Sequence, residues 1–215
     1  MWDFIDKIIY INLDHRDDRR NIMSKFFEEG KIPLDKVERL SATRRRRGWI
    51  GCLESHTRVL ELAIQKNWEN VLILEDDLQW NDFENGYAQL ERLVSNETWD
   101  VIQLVGWYME FDFPRIFKTA NAGAYLVNRS YYSTLLSNRK EALRKLTRFE
   151  MLYTCPDAYT ADVYWNSLVR KDRWFGVYPC ICKQVISYSD NSNCTYRADE
   201  VNGIFQGKGN LFDAI

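Results

Sequence analysis

The stretch Val71-Leu72-Ile73-Leu74-Glu75-Asp76-Asp77 limits what this chain can fold into more than any other. Four consecutive aliphatic residues, two of them β-branched, offer no polar face to water. They predict a strand covered on both sides, as in a parallel sheet between layers of helix. Three carboxylates follow without a break. In an open α/β sheet the carboxyl ends of the strands border the ligand crevice, so acids there present their charge to a bound molecule. Like charges this close repel, and water or a cation among them relieves the repulsion. In an extended segment Glu75 and Asp77 project to one side and Asp76 to the other, which pairs Glu75 and Asp77 for one divalent ion. The competing reading is a solvated turn or the cap of the next helix. The triplet alone does not separate the two.

Upstream, residues 5–13 predict a first strand ending at Asn12, followed by a polar turn that enters a helix through Phe26 and stops at Gly30. Arg16 and Arg19 in that turn suit an anionic ligand, because a guanidinium donates two parallel hydrogen bonds to a phosphate. The alternation of Asp and Arg equally predicts ion pairs within the helix. A second strand at 37–40 leads to Arg44-Arg45-Arg46-Arg47. Four adjacent like charges cannot all be paired locally, which predicts a loop that is mobile until an anion arrives, or a solvated one. A helix then runs from Gly48 to near Asn67, with Gly51 allowing close approach near its start and Ser55 and His56 on its first turns.

Downstream, the pattern predicts an amphipathic helix at 83–94, strands at 101–105 and 124–127, and an irregular aromatic lid or acceptor-side loop over 111–117. Ser130 caps a helix to about residue 136, and 138–148 reads as a separate basic surface helix. Cys155-Pro156-Asp157-Ala158 turns into a helix with Val163, Trp165 and Leu168 inward, before strands at 174–179 and 181–186. Residues 1–195 form one domain in this reading, and 196–215 a loosely held tail.

A length of 215 residues suits one well-buried α/β domain. A net charge of -2 argues against general nucleic-acid binding. Aromatic residues make up 14%, more than a core this size needs; rings stack well on bases and sugars, and core packing is the expected use of most of them. No apolar run is long enough to span a bilayer, and the start of the chain lacks a charged segment followed by an apolar one. The chain as given is therefore expected to be cytoplasmic, with the ER lumen an option only for a piece of a longer protein. The five cysteines, Cys52, Cys155, Cys180, Cys182 and Cys194, lack a repeated Cys-x-x-Cys pair and are expected to be reduced thiols. In that setting the sequons at Asn96, Asn128 and Asn193 are chance occurrences.

Taken together, four segments carry a resemblance: Tyr10-Ile11-Asn12-Leu13 with Arg16 and Arg19 behind it, Gly51-Cys52-Leu53 with Ser55-His56, Leu74-Glu75-Asp76-Asp77, and Ala124-Tyr125-Leu126-Val127 before a helix. Ser189-Asp190 is a weaker fifth. In this order the chain resembles glycosyltransferase family 25, the lipopolysaccharide-biosynthesis and collagen galactosyltransferase-like enzymes. The resemblance implies an α/β fold of GT-A type, a Rossmann-like sandwich with a mostly parallel sheet. It also implies a UDP-sugar donor, Mn2+ or Mg2+, and inversion at the anomeric carbon. Two departures bear on the donor and acceptor: the short arginine-filled stretch before Gly51, and Ala158 where a second acid is common after Asp157.

On this basis Glu75, Asp77 and the distant Asp190 are the expected metal ligands. Asn12, Leu13, Arg16, Arg19, Ser55, His56, Glu75 and Asp76 are expected at the donor, with His56 against Asp76 or a phosphate and Arg44 to Arg47 closing over the diphosphate. Asp157 is the expected general base, with Asp162 in reserve. The expected reaction moves a hexose, galactose or glucose, to a hydroxyl of a glycan, a glycoprotein or a hydroxylysine-bearing collagen-like protein. Two other classes remain open: a catalytically silent nucleotide-sugar-binding domain, and a metal-dependent phosphohydrolase or nucleotidyltransferase. The sequence leaves the oligomeric state open, a homodimer included.

Overall fold

The computed structural model describes residues 1–151 and 155–185, with the backbone of three two-residue strands beyond them. In chain order the strands are β1 (Lys7–Asn12), β2 (Val37–Ser41), β3 (Asn70–Glu75), β4 (Leu78–Trp80), β5 (Val101–Asp112), β6 (Arg115–Asn128), β7 (Trp174–Gly176), β8 (Cys182–Gln184), β9 (Tyr188–Ser189), β10 (Cys194–Thr195) and β11 (Gly203–Ile204). The helices are α1 (Asp17–Glu29), α2 (Gly48–Lys66), α3 (Phe83–Asn96), α4 (Tyr132–Leu146) and the short α5 (Asn166–Val169).

The central sheet has the order β11-β5-β7-β6-β3-β1-β2, with β5 and β6 also paired directly. β1, β2 and β3 are mutually parallel, as are β5, β7 and β11, while β6 runs antiparallel to its neighbours. The sheet is therefore mostly parallel, the α/β sandwich expected from the sequence. Successive β3 residues alternate between two cores. Leu72 and Leu74 join Met23 and Phe26 of α1 and Leu90 of α3, whereas Val71 and Ile73 join Val59 and Leu60 of α2 and Leu135 of α4. All four aliphatic side chains are thus buried, which is why the run carries no polar alternation.

Three segments differ from expectation. Residues 111–117 form the tip of a long β5–β6 hairpin and not an irregular loop. Register shifts between Gln103 and Phe111 break the two-residue alternation by which a strand is recognised. The basic segment after residue 138 is no separate surface helix. α4 continues through it to Leu146, burying Asn138, Arg139, Ala142 and Leu146 at helical spacing. Two of those four are polar, which hid the inward face. After Asp157 the chain makes a 3-10 turn and further turns, reaching regular helix only at Asn166, with Trp165 and Leu168 buried as expected and Val163 partly so. In the tail, Gly203–Ile204 pairs in parallel with Trp107 and Tyr108 of β5, and the remaining residues from 196 on lie outside the described residues.

In the loop from β2 to α2, three of the four arginines have partners. Arg45 makes two hydrogen bonds to the Glu54 carboxylate at 2.7 and 3.2 Å, Arg46 points at the Met151 sulfur, and Arg47 donates to the Glu150 carbonyl at 3.2 Å. Partners nine and about a hundred residues away in sequence supply what local pairing could not. Gly51 lets this loop lie on the helix, because a Cβ there would sit 2.3 Å from the Thr43 carbonyl oxygen. Ser55 Oγ completes the junction by accepting from the Thr43 N–H at 2.8 Å and donating to the Gly51 carbonyl at 2.6 Å. Because the obstacle is backbone, Gly51→Ala is expected to cost about 1–3 kcal/mol. Urea unfolding of the two proteins, compared at equal m-value, measures it.

Candidate active site

The parallel register aligns the ends of the strands, with Ile11 opposite Glu75 and Asn12 opposite Ser41. Asp76 leaves β3 buried between two donors, Asn12 Nδ2 at 2.7 Å and Arg19 Nη1 at 2.6 Å. The same Arg19 atom lies 3.1 Å from Asp77 Oδ2, so one buried guanidinium serves both acids. Glu75 and Asp77 meet on the other side, where Gln184 Nε2 donates to Glu75 Oε2 at 3.0 Å and contacts Asp77 Oδ1 at 3.4 Å.

Gln184 arrives through an antiparallel pairing, in which β8 sets Gln184 opposite Leu78 of β4 and the Val185 N–H bonds the Asp77 carbonyl at 2.7 Å. β4 is anchored by Trp80, which stacks on Phe26 at 3.9 Å and donates to the Phe26 carbonyl at 2.8 Å. Gly30 at the end of α1 leaves room for that ring, since a Cβ there would lie 2.2 Å from it. The opposite end of the Gln184 amide accepts from Asn121 Nδ2 at 3.0 Å, and Asp162 Oδ2 accepts from the Asn121 N–H at 3.1 Å. Asn121 holds a left-handed φ of 74°. Such a conformation is tolerated by Asn and is concentrated at functional sites.

A second polar group lies against Glu75. His56 is fully buried, with Nδ1 2.8 Å from the Tyr125 hydroxyl and Nε2 3.4 Å from Glu75 Oε1, and the Cys52 sulfur is 3.7 Å from the same oxygen. Burial, and then the positive charge of Arg139, lower the His56 pKa to about 3, so the ring is neutral. Arg139 is fully buried, lies over the Trp165 ring at 4.6 Å and donates to the Ala161 carbonyl. Burial first, and then the charges of Asp76 and Asp162, raise Glu75 to about 7. Burial likewise raises Asp77 to about 7 against the opposing pull of Arg19. Two carboxylates held this high beside one another form a site in which Arg19 alone does not balance the negative charge. Hard oxygen donors converging on a single amide nitrogen are the donor set that suits Mn2+ or Mg2+.

The sequence-predicted residues separate into those the fold gathers and those it uses elsewhere. Glu75, Asp76, Asp77, Asn12, Arg19 and His56 come together, but Arg19 and Asn12 face the acids where a phosphate was expected. Arg16 makes two hydrogen bonds to Asp18 at 2.9 and 2.8 Å, and Leu13 caps the turn by accepting the Arg16 N–H. Ser55 is fully buried with its hydroxyl engaged by backbone, so it fixes the loop and is not free for a donor. His56 meets Glu75 and Tyr125, not Asp76. Asp157 is exposed in a 3-10 turn, whereas Asp162 acts electrostatically on Glu75, His56 and Cys52. Asp190 lies outside the described residues. Sequence reasoning missed Gln184, Asn121, Tyr125 as a hydrogen-bonding group, and Arg139. No local signal marks the first two, since their roles exist only after β8 pairs with β4.

The sequence pattern of glycosyltransferase family 25 (LPS biosynthesis protein) matches residues 42–149, half of the chain. The chain belongs to glycosyltransferase family 25. That span holds the Gly51–His56 turn, the acids after β3, the β5–β6 hairpin and α4. No curated protein sequence matches the chain. Among solved structures, A197 from STIV is similar at 15% identity and a TM-score of 0.52, over 95% of this chain and 99% of that one. This likeness bears on the fold alone. Two further likenesses are weaker. They are a mannose-1-phosphate geranyltransferase from Thermus thermophilus, at 12% identity and TM-score 0.47 over 80% and 72%, and a glycosyltransferase involved in the glycosylation of the major capsid of PBCV-1, at 14% and 0.47 over 80% and 81%. Among the described residues of this family 25 chain, no helix is long and apolar enough to cross a membrane, and Cys52, Cys155, Cys180 and Cys182 are free thiols.

The raised carboxylates give a pH dependence of known sign. Glu75 and Asp77 ionise near pH 4 in the unfolded chain and near 7 in the folded one. Between those values the folded state binds more protons, so these two groups lower stability as pH rises. The metal-free chain is therefore expected to gain stability relative to itself at pH 7 when brought to pH 5, by more than the Glu75→Gln/Asp77→Asn variant gains. Melting temperatures of both proteins across that range, with chelator present, check the difference.

Proposed function

We propose that this chain is a metal-dependent, inverting glycosyltransferase that moves a hexose, galactose or glucose, from a UDP-sugar to an acceptor hydroxyl of a glycan or glycoprotein, the latter including hydroxylysine-bearing collagen-like protein. Family membership supports glycosyl transfer, and one observation carries the metal assignment. Glu75 Oε2 and Asp77 Oδ1 converge on the same Gln184 amide at 3.0 and 3.4 Å, with both carboxylates raised to about 7. Glu75 and Asp77 would hold the cation, with Asp190 the third ligand we assign. When bound, the cation supplies neutralisation of the charge that builds on the departing diphosphate.

The chain's own residues supply orientation and proton transfer. Arg19 and Asn12 hold the Asp76 carboxylate in place and fix the turn from which Asp77 projects. Gln184 sets the separation of the two metal-facing oxygens. Of the two candidate bases, Asp162 is supported over Asp157. Its Oδ2 is tied to the Asn121 N–H, and its charge is felt at Glu75. As the acceptor oxygen bonds the anomeric carbon from the face opposite the leaving group, its proton passes to Asp162 Oδ1. The carbon–oxygen bond to the diphosphate breaks, releasing UDP.

UDP binding measured by calorimetry with and without Mn2+ is expected to depend strongly on the metal, and Asp77→Ala to remove that dependence. Unchanged metal dependence in the variant would refute the assignment. Assays of the released product separate the other classes, since a phosphohydrolase or nucleotidyltransferase frees phosphate or pyrophosphate, and a silent domain frees neither these nor UDP. Asp162→Asn is expected to lower kcat about 10²- to 10⁴-fold with UDP affinity unchanged. Asp157→Asn is expected to leave kcat near wild type.

A further inference from the structure

The two oxygens of Glu75 face different chemistries. Oε2 lies with the hard oxygen donors of Asp77 and Gln184, while Oε1 lies 3.4 Å from His56 Nε2 and 3.7 Å from Cys52 Sγ. We propose that Cys52, His56 and Glu75 Oε1 form a second cation site, of the thiolate, imidazole and carboxylate type that takes Zn2+, next to the oxygen-lined pair.

Three observations carry this. The ligand atoms of Cys52, His56 and Glu75 all lie within 4.8 Å of one another, and among the described residues no other trio of Cys, His or acid does so. With metal–ligand bonds of about 2.0–2.3 Å, the edges of a tetrahedron are roughly 3.3–3.8 Å, which covers both measured contacts to Glu75. Second, Cys52 and His56 are four residues apart on α2, so one helical face presents both toward the end of β3. Third, both ring nitrogens of His56 are placed as in a metal-bound histidine, Nδ1 2.8 Å from the Tyr125 hydroxyl and Nε2 3.4 Å from a carboxylate oxygen. In the tautomer that carries its proton on Nδ1, the Nε2 lone pair is directed at that oxygen. Two acceptors so opposed repel unless a proton or a cation lies between them. A hydrogen bond from the far nitrogen is the support that metal-bound histidines ordinarily have.

The local charge tolerates a divalent ion. Glu75, Asp76, Asp77 and Asp162 bring four carboxylates, against the guanidinium groups of Arg19 and Arg139. Binding releases the Cys52 thiol proton to solvent, since the thiolate is the ligand. Cys52 and Glu75 are half-buried, so the trio lies partly within reach of solvent. The site itself does not depend on the transferase reading. If that reading holds, Zn2+ here draws on the same carboxylate as the catalytic cation and inhibits Mn2+-dependent transfer.

Cobalt(II) reports on the site directly, because a cobalt–thiolate bond gives a charge-transfer absorption in the near ultraviolet. Titration of the full chain with Co2+ is expected to produce that band at one equivalent, and Zn2+, but not excess Mg2+, to erase it. Cys52→Ser is expected to lose the band, Tyr125→Phe to weaken Co2+ binding about 10- to 100-fold, and Asp77→Asn to keep the band. No band in the wild-type chain at saturating Co2+ would overturn the proposal, as would a band that survives Cys52→Ser. Neither outcome bears on UDP binding or sugar transfer, so this proposal and the transferase reading fail separately.

Discussion

One buried guanidinium holds the carboxyl end of the central strand together. Arg19 lies within 2.6 Å of Asp76 and 3.1 Å of Asp77, and without it three consecutive acids would face one another in a region mostly shielded from water. Removing one member of a buried ion pair typically costs about 3–5 kcal/mol, because the remaining charge is left uncompensated. Here the loss would leave two carboxylates exposed to mutual repulsion. Asn12 shares the task from the neighbouring strand, so the end of β1 and the first turn of α1 are both committed to orienting the acids.

One positive charge for three carboxylates leaves a deficit, and its direction matters. Asp76 has two close donors, while Asp77 has the same guanidinium at 3.1 Å and shares a neutral amide with Glu75, and Glu75 and Asp77 are both raised toward neutral pH. The deficit therefore falls on the side of the sheet end where Gln184, Asn121 and Asp162 converge. Fold and electrostatics agree there, since the crevice outside the carboxyl ends of parallel strands is where ligands of open α/β sheets bind. Around it, His56, Tyr125 and Arg139 fill with polar atoms a layer that a purely structural core would fill with hydrocarbon. Buried polar groups are costly unless satisfied, so their concentration behind Glu75 sets this end of the molecule apart from the rest of the core.

Family membership and the sheet topology reinforce each other without either naming the substrate. The matched span, residues 42–149, includes Glu75, Asp77, Cys52 and His56 but excludes Asn12, Arg19, Asp162 and Gln184. Part of the polar network thus lies outside the segment that identifies the family, and it is joined to that segment by β-pairing and by contacts across the sheet end.

What the sequence determined alone is the part governed by short-range pattern. The apolar run of β3, the helical spacing of α2 and its left-handed end at Asn67, and the position of the acids all follow from periodicity and from residues whose conformational preferences act within a few positions. The tertiary structure decided which charges meet. Arg19 turns to the acids, Ser55 to the Thr43 backbone, three of the four arginines before α2 to partners on α2 and beyond α4, and Gln184 reaches a pair of acids more than a hundred residues earlier. Long polar side chains reach several ångströms in any direction, and their partners are chosen by desolvation and proximity once the backbone is placed. Chain order carries no record of that choice.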